Sequence, residues 1–154
     1  MNRYAAIKHN DVANGQGINV SVYLQGCPHM CQGCFNPETW DHTKGFPFTE
    51  DTMKEILDAI GANGIQRNLS ILGGEPLAPW NLELTEYILN TVRLHYPNIK
   101  IYLWTGYVLE ELNKKQKMIL LYLDYLIDGP YVEAERDITL DMRGSKNQRI
   151  IKLR

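Results

Sequence analysis

Hydrophobic positions in this chain alternate between short dense runs and helical stripes. "VSVYLQG", Val20 to Gly26, is rich in β-branched and aromatic residues and predicts a buried strand. Met53, Ile56, Leu57 and Ile60 fall at i, i+3, i+4 and i+7, which predicts a helix. Thr49 is its expected N-cap, Glu50 and Asp51 lie in its first turn, and Gly64 is its expected stop. "LSIL", Leu69 to Leu72, reads as a second strand ending at "GGEP". Leu84, Ile88 and Val92 mark a second helix, closed before Pro97. Ile99 to Trp104 reads as a third strand ending at "TGY", Leu109 to Tyr122 as a third helix, and "YLID" as a fourth strand ending at Asp128. Arg149, Ile151 and Leu153 alternate as an edge strand would.

Strands that alternate with helices predict parallel βαβ units and an α/β class. Sites in such folds form at the carboxyl ends of the strands. The loop after Gly26, Gly73-Gly74-Glu75, Thr105-Gly106 and Asp128 all follow predicted strands and should share one rim. A closed eight-stranded barrel takes about 250 residues. A chain of 154 residues holds half to two-thirds of one. The expected architecture is therefore a partial, open (β/α) barrel with parallel strands, and one domain over residues 1–154. The open side could admit something large.

Composition changes this picture little. Hydrophobic residues at 44% and charged residues at 22% suit an ordinary globular domain. Sixteen basic and 18 acidic side chains give a net charge of −2, which does not point to nucleic acid. "MNRYAAIKHNDVANGQG" has no apolar core of a signal peptide, and no stretch reaches the length of a membrane span. The expectation is a cytoplasmic protein.

The three cysteines change it most. Cys27, Cys31 and Cys34 lie within "CPHMCQGC", spaced C-x3-C-x2-C, in the irregular loop after the first predicted strand. In a reducing compartment such a group reads as metal ligands rather than a disulfide framework. Three thiolates can hold a [4Fe–4S] cluster that keeps one iron open to a small molecule. A structural zinc with His29 or His42 as fourth ligand fits the same spacing. A catalytic thiol finds no Cys–His–carboxylate arrangement to activate it.

C-x3-C-x2-C after a strand, followed by "SILGGEP" at the end of the next, resembles the radical S-adenosylmethionine enzymes. "DVANGQG", "CFNPETW", "GGEPL", "WTGY", "DGPYV" and "RGSKNQR" extend the resemblance over nearly the whole chain. There it is similar to the activating proteins of anaerobic ribonucleoside-triphosphate reductases, with the pyruvate formate-lyase activating enzymes as a longer sister family. The resemblance implies that Cys27, Cys31 and Cys34 ligate three irons and that S-adenosyl-L-methionine chelates the fourth. It implies reductive cleavage to methionine and a 5′-deoxyadenosyl radical, which takes hydrogen from a glycine of the reductase large subunit. Gly73, Gly74 and Glu75 are then expected at the methionine end, and the backbone of Gly33, Cys34 and Phe35 at the adenine. Thr105 and Asp128 are candidates for ribose, carboxylate or cation contacts, or else turn formers. One departure stands out: Asn19 occupies the place of a basic residue that relatives tend to carry before the strand.

Trp40 and Trp104 are candidate pocket walls, with Trp104 equally suited to the core. His9, His29, His42 and His95 are assigned to the solvated surface. Arg143, Lys146, Arg149, Lys152 and Arg154 form a basic C-terminal run. It is read first as a solvated face, second as a docking surface for a flavodoxin-like electron donor or the reductase, and last as a nucleic-acid contact. Two other readings stay open: activation of a different glycyl-radical protein, and, in another class, a non-enzymatic zinc-binding module.

Overall fold

The computed structural model describes residues 2–154. Its strands are β1 (Arg3–Asp11), β2 (Asn19–Leu24), β3 (Phe46–Pro47), β4 (Asn68–Gly73), β5 (Ile101–Trp104), β6 (Tyr125–Asp128) and β7 (Arg149–Lys152). Its α-helices are α1 (Glu50–Ile60), α2 (Leu82–His95) and α3 (Lys114–Ile119). The strands form one sheet in the order β3-β1-β2-β4-β5-β6-β7. β2, β4, β5 and β6 run parallel, while β1, β3 and β7 are antiparallel to their neighbours.

The parallel centre follows chain order, so each crossover passes to the next strand without a reversal. With crossovers of one hand, all helices fall on one face. Val20, Val22 and Leu24 of β2 pack there with Leu69 and Ile71 of β4, Ile101 and Leu103 of β5, and Leu126 of β6. Met53, Ile56 and Ile60 of α1, Ile88, Leu89 and Val92 of α2, and Ile119 of α3 complete this core. The α/β class and the parallel strands agree with the sequence pattern. The sheet is open, with β3 and β7 at its edges and no closed wall.

Thr49 caps α1, accepting the Thr52 N–H on its hydroxyl. The helix ends at Ile60 rather than Gly64, because the chain turns at Gly61 and adds one tight turn over Ala62–Gly64. The predicted third helix divides into a turn at Leu109–Glu111, α3, and a turn at Leu120–Tyr122. Asn113 is the reason: it leaves the helix to cap α3, its side chain accepting from the Gln116 N–H. Two strands lie outside the predicted alternation. β1 and β3 precede and follow the cysteine loop and place β2, the expected first strand, inside the sheet. β7 is the edge strand that Arg149 and Ile151 suggested. Among the described residues, no helix is long and apolar enough to cross a membrane.

Asn19 is fully buried. Its Nδ2 donates to the carbonyls of Asp11, Gln16 and Gly17, and its Oδ1 accepts from the Ser70 hydroxyl. It therefore ties the β1–β2 turn onto β4.

Candidate functional site

The carboxyl ends of β2, β4, β5 and β6 open into one cavity of about 440 Å³. Cys27, Cys31, Cys34, Phe35, Gly73, Gly74, Glu75 and Thr105 line it, so the rim assembles most of the expected site residues. Gly33 lies on the outer turn of the loop against Glu133 and does not line it. Asp128 also stands apart. Its buried carboxylate accepts the Leu109 N–H at 2.8 Å and pairs with Arg149 of β7 at 2.5 Å, closing the sheet edge.

The cysteine loop is held from behind. Gly26 and Cys27 donate their N–H groups to the Thr39 and Trp40 carbonyls at 2.6 and 3.0 Å. Gln25, buried at the end of β2, donates to the Glu38 and Asp41 carbonyls at 2.9 and 2.8 Å. The return segment "PETWD" thereby becomes a backbone clamp, and Trp40 reaches the cavity from it.

All three thiols are free. Burial pushes Cys27 up to about 11 and raises Cys31 as well, so binding to iron must expel their protons. Among the described residues, no three His, Cys, Asp or Glu side chains converge on one ion-sized point. A cubane does not require that, because each cysteine holds its own iron. The Asn36 N–H points at the Cys34 sulfur at 3.4 Å, a contact of the kind that tunes cluster thiolates. Three soft donors around one cavity fit an iron–sulfur cluster.

Glu75 is the polar hub. It is fully buried, and four donors converge on its carboxylate. Oε1 accepts from His29 Nε2 at 2.7 Å and the Gly106 N–H at 2.6 Å. Oε2 accepts from the Leu77 N–H at 2.9 Å and the Thr105 hydroxyl at 2.8 Å. The cysteine loop, the β4 end and the β5 end thus meet on one side chain. Both Glu75 oxygens are occupied, and Thr105 has committed its hydroxyl to the same network. Neither is free to act as a general base.

His29 corrects the sequence reading. It is not a solvated surface residue: it lines the cavity, joins Glu75, and packs its ring edge-on to Tyr107 at 4.6 Å. His42 is exposed against Trp80 at 5.3 Å and does not line the cavity. His9 and His95 are exposed, as expected. Trp104 is a cavity wall, its Nε1 donating to the Met142 carbonyl at 2.7 Å.

Gly74 is required first by the protein itself. A Cβ there would stand 2.5 Å from the Leu24 carbonyl oxygen and 2.7 Å from that of Gly26. The N–H groups of Gly74 and Glu75 donate to these same carbonyls at 3.2 and 2.8 Å. The Leu24 and Gly26 carbonyls are therefore engaged, and Gly73 and Gly74 face the cavity with backbone alone. Gly74→Val is expected to strain the β2–β4 junction by about 2 kcal/mol or more. That lowers the melting temperature by roughly 5 °C or more. An unchanged thermal melt would show that the junction relaxes around the branched side chain.

Sequence reasoning did not place Tyr131 or Arg143 in the cavity, nor Arg136 beside it. Tyr131 packs on Phe35 at a tilt, with ring centroids 5.0 Å apart. The Arg136 guanidinium lies over the Phe35 ring, 5.4 Å from its centroid. Arg143, counted with the basic run, lines the cavity. The motifs "DGPYV" and "RGSKNQR" were the available signals, without any indication of which residues point inward.

A family model described as a 4Fe-4S single cluster domain matches residues 13–151. With three free cysteines around one cavity at the strand ends, this makes the chain a single-cluster iron–sulfur protein. Named relatives make the family narrower. The anaerobic ribonucleoside-triphosphate reductase-activating protein of Vibrio cholerae is 38% identical over 139 residues, 90% of each chain. Those of Escherichia coli K12 and Enterobacteria phage T4 are 36% identical over 145 residues and 39% identical over 147. They cover 94% of both chains, and 96% of this chain with 92% of the phage protein. The chain belongs to the family of anaerobic ribonucleoside-triphosphate reductase-activating proteins.

Proposed function

We propose that this protein is the radical S-adenosylmethionine oxidoreductase that installs the glycyl radical on an anaerobic ribonucleoside-triphosphate reductase. The observation that carries this reading is the single cavity shared by three free cysteines and the Gly73-Gly74-Glu75 edge. When bound, the reduced [4Fe–4S] cluster and S-adenosylmethionine supply a 5′-deoxyadenosyl radical that removes a hydrogen atom from a glycine of the reductase.

The chain's own residues hold and shield. Cys27, Cys31 and Cys34 would each ligate one iron, leaving the fourth to the cofactor. The carbonyl edge at Gly73 and Gly74 would take the methionyl amino group. His29 and Thr105 act through Glu75, fixing the cysteine loop against the ends of β4 and β5. Leu72, Trp40, Trp104, Phe35 and Tyr131 give the cavity apolar walls that exclude water from a reactive carbon radical. Asp128 has no direct part: it secures β7.

The same cavity bears on the partner. A sheet with two open edges cannot enclose a substrate, so the reductase large subunit would supply the missing cover as it presents its glycyl loop. The electron would come from a flavodoxin-like donor. The exposed Lys146 and Lys152 are candidates to meet it, while Arg149 is already paired with Asp128 and Glu110. Offered free glycine, a peptide copied from the loop, or the whole reductase, the reduced holoprotein should give a glycyl-radical resonance with the reductase alone at full rate. Activation of free glycine as fast as the reductase would sink the idea of a partner-closed site.

A further inference from the structure

The motif "RGSKNQR" has no role in the chemistry so far, yet the structure treats it as a built turn. Gln148 Oε1 accepts the N–H groups of Gly144 and Ser145 at 2.9 and 3.1 Å, and its Nε2 donates to the Gly129 carbonyl at 3.1 Å. The Ser145 hydroxyl accepts the Val132 N–H at 3.2 Å. Asn147 donates to the Pro130 carbonyl at 2.7 Å. Gly144 lets the Phe35 ring lie against the turn, since a Cβ would stand 2.8 Å from Phe35 Cε2. Backbone on both sides is thus pinned to the segment after β6.

What this turn presents to the cavity is Arg143. It is the one Lys or Arg among the described residues lining that space. Its Nε is buried without a hydrogen-bond partner. No ion pair or hydrogen bond to another described residue engages its guanidinium. Every other arginine of the C-terminal run is occupied: Arg149 by Asp128 and Glu110, Arg154 by the Leu121 carbonyl. The one acid of the cavity lining, Glu75, is filled by its four donors. Arg143 as a whole is half-buried, and a guanidinium facing a cavity with its Nε buried and unpartnered is completed by an arriving anion. Its planar fork suits a carboxylate.

We infer that Arg143 is a substrate-positioning residue that binds the methionyl carboxylate of S-adenosylmethionine, opposite in charge to the amino group taken by the Gly73–Gly74 carbonyl edge. This rests on the proposed function. The two ends of the amino acid are then sorted by chemistry: acceptors for the ammonium, one fixed cation for the carboxylate. The sulfonium follows, because it is tethered to both.

The test compares two ligands on anaerobically reconstituted protein by titration calorimetry: S-adenosylmethionine and decarboxylated S-adenosylmethionine, which lacks the carboxylate alone. Arg143→Met should weaken S-adenosylmethionine by about tenfold to a hundredfold, the range of a charge-assisted pair. It should leave the decarboxylated compound within about threefold of its wild-type affinity. Arg143→Lys should keep part of the discrimination as a point charge without the fork. Cluster absorbance and thermal melts confirm that each variant is folded and loaded. Equal losses for both ligands would mean that Arg143 shapes the wall only, and unchanged binding of both would remove it from the site. A loaded wild-type protein that binds neither compound would overturn the proposed function, and this inference with it.

Discussion

Cys27→Ala, Cys31→Ala and Cys34→Ala proteins are each expected to fold and to lose reductive cleavage of S-adenosylmethionine to the level of a protein-free control. The chain has three cysteines, so no spare thiolate can take the vacated iron. Each thiol is half-buried in the loop and outside the core of β2, β4 and the helices. The cost to stability should therefore stay near 1 kcal/mol, or about 2–4 °C in the melting temperature of the cluster-free chain. Cluster absorbance and methionine release after reduction check both parts. Normal cleavage by any one of the three variants would be incompatible with a three-cysteine cluster.

The second large effect is expected at Glu75. In Glu75→Gln one acceptor oxygen becomes an NH2 group that faces a fixed backbone donor, whichever way the amide turns. If the amide nitrogen replaces Oε1, it confronts the Gly106 N–H, and His29 must change tautomer to accept from it; if Oε2, it confronts the Leu77 N–H, and the Thr105 hydroxyl must turn to accept. Leaving one buried donor unmet costs about 1–3 kcal/mol. That lowers the melting temperature by roughly 2–12 °C. Because His29 is one residue of the C-x3-C span, the cysteine loop should also loosen, and iron content after reconstitution should fall with stability. A variant with wild-type melting and full iron content would mean that the network is rebuilt around water and that Glu75 is not the hub.

Much of this was legible in one dimension. The stripe Met53, Ile56, Ile60 became the inner face of α1, and the dense runs became the parallel strands, because burial on one face or two leaves its period in the chain. β1 was not legible for the same reason. Its side chains are half-exposed or exposed over Arg3–Asn10, so it carries no hydrophobic signature and is held by its ladder with β2. The break in the third predicted helix had a local signal in Asn113, but a cap and a helical polar residue look alike until the backbone chooses.

By itself the sequence determined the three candidate ligands and their place. Three thiols in eight residues, after one strand and ahead of a Gly-Gly-Glu-Pro strand end, are local facts, and parallel winding brings such ends to one rim. Tertiary structure alone decided what the polar side chains do there. Glu75 meets His29 from 46 residues away and Thr105 from 30. Asp128, also at a strand end, turns instead to Arg149, 21 residues on, at the sheet edge. Arg143 enters the cavity while Arg149 of the same motif is paired outside it. Each of these choices depends on which segments become neighbours across the sheet, and a charged residue carries no periodic mark that tells a buried partner from open water.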